Sequence, residues 1–178
     1  MRALLCLAAL AGTAHAEGER ALSGDAGLAT FSATGKKVGN MTPPSLSPDI
    51  GFTLGGSYEH MIGADFALRA EAAGGLFHGG AQKDESDTSW AALGDVGIAF
   101  RFDVARWVPY AFAGVGGVIS GGGPIDRGAD FVLAIGGGLD CLTSRSRSYG
   151  VELRLASFGG DVTVATLSLR ASLRWGFF

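Results

Sequence analysis

Lysine is almost missing from this chain, which has three in 178 residues, and cysteine and histidine are nearly as scarce, at two and three. The lysines, Lys36, Lys37 and Lys83, all fall in polar, turn-rich stretches. A solvated protein face normally uses lysine freely, so whatever polar face this chain presents is not an ordinary water-facing one. Basic charge is in deficit as a whole, with a net charge of −3. That excludes the cationic footprint of a nucleic-acid-binding domain. No stretch beyond the first residues approaches the roughly 18 apolar residues of a membrane-spanning helix. Three histidines and two cysteines, scattered along the chain, supply no metal-ligand spacing, and no cofactor is expected.

Residues 1–16 have the form of an export signal. Arg2 precedes an apolar run, and Ala14-His15-Ala16 has the small-x-small pattern of a cleavage site. The domain expectation is therefore a signal peptide over 1–16 and one domain over 17–178. Cys6 would leave with the signal, so Cys141 would have no internal disulfide partner. The chain is nonetheless 47% hydrophobic and holds 30 glycines. An exported, apolar chain without a spanning helix has few solutions, because every backbone polar group in a bilayer must be paired. A closed barrel is the main one.

The patterning agrees. In Asp49-Ile50-Gly51-Phe52-Thr53-Leu54-Gly55-Gly56-Ser57-Tyr58, every even position except Gly56 is large and apolar. Period two marks a strand with one apolar face. About ten residues is long for a soluble strand and right for a tilted transmembrane one. Eight such segments are predicted, over 21–31, 49–59, 66–77, 90–102, 109–119, 129–142, 149–157 and 162–178. Between them, residues 32–47, 78–89 and 120–128 are predicted as long loops, and 60–65, 103–108 and 143–148 as short turns. Long loops at one end and short turns at the other are the asymmetry of an outer-membrane barrel. An even strand count puts both termini at the turn end, which would be periplasmic.

The polar face carries arginine and acid but no lysine. Its predicted charge network is Asp49, Arg69, Glu71, Asp95, Arg101, Asp140, Glu152, Arg154, Arg170 and Arg174, with Asp25 and Glu59 on the same face. An enclosed face that must pair its charges favours arginine, whose planar fork bonds carboxylates bidentately. Apolar-out and polar-in is thus preferred over a lipocalin-like soluble barrel. Tyr58, Phe66, Trp90, Trp107, Tyr110, Tyr149, Trp175 and Phe177 are expected at the membrane interfaces as an aromatic girdle, with Phe102 added at the turn end and Phe31, Phe77, Phe131 and Phe158 at the loop end. The inward glycines are read as clearance for long side chains.

The segments Val108-Pro109-Tyr110-Ala111-Phe112-Ala113-Gly114-Val115-Gly116-Gly117 and Ile135-Gly136-Gly137-Gly138-Leu139-Asp140, with the terminal Arg174-Trp175-Gly176-Phe177-Phe178, resemble the OmpA/OmpX-type eight-stranded outer-membrane barrels. The likeness covers the chain from residue 17 onward as a pattern. It implies an all-β, antiparallel, up-and-down transmembrane barrel in a Gram-negative-type outer membrane, inserted by the barrel-assembly machinery. In that family the final Phe shares the outward face. Here Leu173, Trp175 and Phe177 form the apolar set and Phe178 falls out of phase.

Three functions compete. The favoured one is a non-enzymatic barrel with a structural or surface-interaction role, its lumen plugged by paired charges. Outer-membrane lipid is its solvent, and a surface ligand would meet loops 32–47 and 78–89. The alternative is a narrow porin-like channel or carrier for small solutes. The least favoured is a lipid-modifying enzyme around His78, because no outward serine with an orienting acid stands at a matching depth. Gly114-Val115-Gly116 lacks the third glycine and the following helix of a dinucleotide site.

Overall fold

The computed structural model describes residues 18–34, 45–46, 50–78, 88–102, 106–122, 125–158 and 162–176. Eight long strands form one antiparallel sheet: β1 Arg20–Thr34, β3 Ile50–Met61, β4 Phe66–His78, β5 Thr88–Arg101, β6 Trp107–Gly122, β7 Ile125–Ser144, β8 Arg147–Phe158 and β9 Val162–Trp175. A two-residue strand, β2 Ser45–Leu46, pairs with the far end of β1. Each long strand pairs with its sequence neighbour, and β1 also pairs with β9 from Arg20↔Trp175 to Ser32↔Thr163. The sheet is therefore a closed barrel with no open edge along its wall, which is the form that satisfies the backbone inside a bilayer.

The faces follow the parity of the sequence. Leu22, Leu28, Phe52, Leu54, Leu68, Ile98 and Leu173 point outward and are exposed. Their alternate neighbours are buried or half-buried. This inversion, apolar outside and charged inside, only makes sense if the outer solvent is lipid. Leu153 and Leu169, at 62% and 70% exposure, sit well inside β8 and β9 on the outward face. Leu153→Arg or Leu169→Arg is expected to cost about 2–4 kcal/mol near the bilayer midplane. Urea titration in lipid vesicles reads this. No loss at either position would show that this face does not meet lipid.

The wall differs from the sequence expectation most at one loop. Residues 120–122 and 125–128 are strand, not loop: β6 continues to Gly122 and β7 begins at Ile125, while residues 123–124 lie outside the described residues. Gly-Gly-Gly-Pro looks like a breaker by composition. Here Gly122 pairs with Ile125 and stands at φ +136°, in the region open to glycine, with a register irregularity between Ser120 and Gly122. The β6–β7 hairpin projects beyond β8, whose last register partner on β7 is Leu133. Loop 78–89 contracts likewise, because β4 reaches His78 and β5 starts at Thr88. Residues 79–87 and most of 32–47 lie outside the described residues.

Candidate functional site in the barrel lumen

The lumen holds two layers of different chemistry. Near the end that carries the termini and the short turns, arginines and acids interlock. Toward the loop end, the same inward parity delivers apolar side chains.

Glu59, at 2% exposure, is the hub of the charged layer. Arg170 Nη2 donates to its Oε1 at 2.5 Å, Arg101 Nη2 donates to Oε2, and Arg69 Nη1 lies 3.7 Å from Oε1. Arg69 Nη2 also donates to Glu71 Oε2 at 2.6 Å and to both oxygens of Glu152 at 2.8 Å. Arg154 pairs with Glu71. Arg170 Nη2 donates to Ser23 Oγ at 2.7 Å, and its Nη1 lies 3.8 Å from Asp140 and from Glu152. Arg174 lies 3.6 Å from Asp140 Oδ2 and 3.6 Å from Glu19 Oε1. The network thus ties together residues from β1, β3, β4, β5, β7, β8 and β9. Single strands could not hold these rotamers; each arginine is fixed by acids from across the barrel.

All five network arginines named from sequence, Arg69, Arg101, Arg154, Arg170 and Arg174, are buried in the lumen, as are Glu71, Asp95, Asp140 and Glu152. Asp49 lies outside the described residues. Asp95 is buried at 5% exposure but takes no part in the interlocked pairs: neither of its oxygens has a hydrogen-bond partner among the described residues. It sits beside Glu71 in the register, opposite the clearing glycine Gly116.

Tyr110 must be corrected. It was expected at the membrane interface, and it is instead inside the lumen at 4% exposure. Its hydroxyl donates to Glu152 Oε2 at 2.7 Å, and its ring lies beneath the Arg170 guanidinium, 4.9 Å away. Phe112, two residues on, lies under Arg69 at 3.9 Å. A Cβ at Gly138 would lie 2.5 Å from the Tyr110 hydroxyl oxygen, so that glycine clears an aromatic ring rather than an arginine. Val108, Tyr110, Phe112 and Val118 share one parity, and only the register against Asp140 and Glu152 shows that this parity is inward.

Phe31 and Phe77 are likewise corrected. They are not girdle residues: they are 1% and 2% exposed, with ring centroids 5.0 Å apart inside the loop-end half. With Leu93, Val118, Val132 and Val164 they belong to one buried apolar cluster. Sequence reasoning passed over this layer, although several members keep the phase of a charged residue on their strand: Phe31 with Asp25, Phe77 with Arg69 and Glu71, Leu93 with Asp95 and Arg101.

The remaining interface aromatics face outward. Tyr58, Phe66, Trp107, Tyr149 and Trp175 are exposed at the terminus end, where Tyr58 and Trp175 lie 6.4 Å apart. Trp90 is half-buried at the loop end, with Arg127 over its ring at 6.0 Å. Phe131 faces outward on β7. Phe177 lies outside the described residues. Among the described residues no group of three or more His, Cys, Asp or Glu is placed to hold a metal. His60 stands at the turn end of β3 and His78 at the loop end of β4, so they cannot share one.

A closed barrel with outward leucines, an aromatic belt and an enclosed arginine–acid network is the architecture of an outer-membrane protein. The family described as outer membrane protein beta-barrel domain matches residues 2–174. The chain belongs to this family. Solved relatives share the fold at low identity. Ail, the attachment invasion locus protein of Yersinia pestis, is 19% identical, with 89% of this chain and 99% of that chain covered and a TM-score of 0.54. Neisserial surface protein A is 15% identical over the same shares, with a TM-score of 0.64. The outer membrane enzyme PagL is 19% identical over 83% of this chain and 98% of its own, with a TM-score of 0.50. Members of this fold therefore differ in activity, and the residues of each barrel must decide its own. No curated protein matches the chain in sequence.

Proposed function

We propose that this member of the outer-membrane barrel family is a sealed, non-enzymatic barrel. Its role is structural and surface-directed, with both termini in the periplasm and an N-terminal signal, 1–16, that exports it. The observation that carries this is the double closure of the lumen. An eight-stranded barrel is just wide enough for side chains to fill. Here an interlocked arginine–acid layer fills one half and a packed apolar layer the other. An ion crossing the second layer would lose its hydration and meet no charged partner, only scattered hydroxyls such as those of Ser89 and Ser120.

The projecting β6–β7 hairpin and loops 32–47 and 78–89 are then the surfaces offered to a partner outside the cell. On the lipid face, His78 has Ile50 and Thr88 as register partners, so among the described residues no orienting carboxylate stands beside it across either strand. A Ser-His-acid hydrolase needs such a group in hydrogen-bond reach.

Purified protein in a planar bilayer is expected to show little or no steady conductance. A stable, ion-selective open pore in the unaltered protein would overturn the sealed reading and put the channel function first. Lipid A that changes mass only when the protein is present would overturn the non-enzymatic one.

A further inference from the structure

Among the described residues, the outward face at the terminus end is predominantly cationic. Arg20, Arg106, Arg145 and Arg147 are all exposed there, and no carboxylate among the described residues pairs with any of them. Asp65, in the turn between β3 and β4, is the one exposed outward carboxylate described at this end; Glu19 faces inward to Arg174. Two of these arginines stand on the lipid-facing wall itself. Arg20 on β1 is the register partner of Trp175 on β9, and Arg147 on β8 is the partner of Leu173, one outward step from Trp175. Arg20 and Arg147 thus bracket Trp175, two strand spacings apart, or about 10 Å.

Two shallow, largely apolar grooves open on the wall near this tryptophan, one reached by Arg20 and one by Arg147. One runs over Leu68, Ala70 and Ile98, with Tyr58, His60 and Arg20 at its terminus end. The other runs over Leu22, Gly24 and Ala171, with Tyr149 and Arg147 at its terminus end. Nothing lies within 4 Å of where a Gly24 Cβ would be, so its floor is open. Each groove has the same build: a largely apolar trough, a tyrosine at the water boundary and a guanidinium beyond it. A guanidinium binds phosphate oxygens bidentately and keeps its charge at any physiological pH.

We infer that Arg20 and Arg147, with the two grooves near Trp175, form a binding site for anionic phospholipid at the terminus end of the barrel. Acyl chains lie in the grooves and phosphates meet the arginines. This rests on the membrane-embedded reading of the barrel and adds a choice of lipid to it. A zwitterionic headgroup offers the same phosphate, but its own cation competes with the guanidinium for it. A basic side chain near an anionic lipid surface is worth roughly five-fold in partitioning.

The test uses the full protein refolded into phosphatidylcholine vesicles, with Trp90 and Trp107 changed to Phe so that Trp175 is the reporter. Quenching is compared for brominated phosphatidylglycerol and brominated phosphatidylcholine at equal mole fraction. The expected result is a several-fold preference for phosphatidylglycerol that shrinks in high salt. R20Q/R147Q should bring it close to one, and R20K/R147K should retain part of it. The lysine variant keeps the test open if the glutamine variant fails to fold, with heat-modifiable gel mobility reporting folding. Equal quenching by both lipids in the parent, or a preference that survives R20Q/R147Q, would overturn the site. Strong quenching by brominated phosphatidylcholine alone would still place Trp175 in lipid, so loss of the preference leaves the barrel reading standing.

Discussion

Glu59→Gln is expected to destabilise the barrel by about 3–5 kcal/mol, the range for removing one partner of a buried ion pair. Three arginines converge on this one carboxylate. Glutamine keeps the volume and one acceptor oxygen but removes the charge. Arg101 then has no other described acid partner, while Arg69 and Arg170 keep Glu71, Glu152 and Asp140 as neighbours. The loss should therefore be smaller in E59Q/R101M than in E59Q, because the double change removes the stranded cation along with the anion. Urea titration of the folded fraction in vesicles measures both. A double variant no more stable than the single one would show that Arg101 is not the residue that Glu59 compensates.

Phe77→Ala is expected to cost about 3–5 kcal/mol by opening a cavity. Phe77 stacks on Phe31 and fills the volume left by Gly51, where a Cβ would overlap its ring. Wall strands paired by continuous ladders cannot collapse inward to close the gap, so little of the cost is recovered by relaxation. F31A/F77A should go further and thin the apolar layer until water reaches the charged one. The same titration measures the loss of stability, and bilayer recording should show brief openings in the double variant that are absent from the parent. Full stability in F77A would mean that the loop-end half is not packed around this ring. Conductance unchanged in the double variant would place the seal in the charged layer alone.

Strand number, face parity and the membrane as solvent were all legible in residues 49–58 and their counterparts. Period two is a local property, set by the pleat, and alternation of leucine with serine, glycine or arginine states it outright. The arginine-for-lysine bias of the polar face likewise announced an enclosed network, because the need for bidentate pairing acts on residue type. What could not be read was which aromatic belongs to which solvent. Tyr110, Phe31 and Phe77 are as apolar as the girdle residues Tyr58 and Trp175, and composition alone sends all five to the interface. Their phase decides, and in β6 the phase is masked by glycine and alanine on both faces. The β6–β7 reversal was hidden for a related reason: a glycine-rich run reads as a breaker until two strands are seen to need it. The sequence by itself determined that the chain closes into a barrel with lipid outside. Only the tertiary structure decided that the lumen is split into a charged half and an apolar half. Parity is written residue by residue along one strand, whereas a layer is made by neighbours on eight strands whose stagger is set when β1 meets β9.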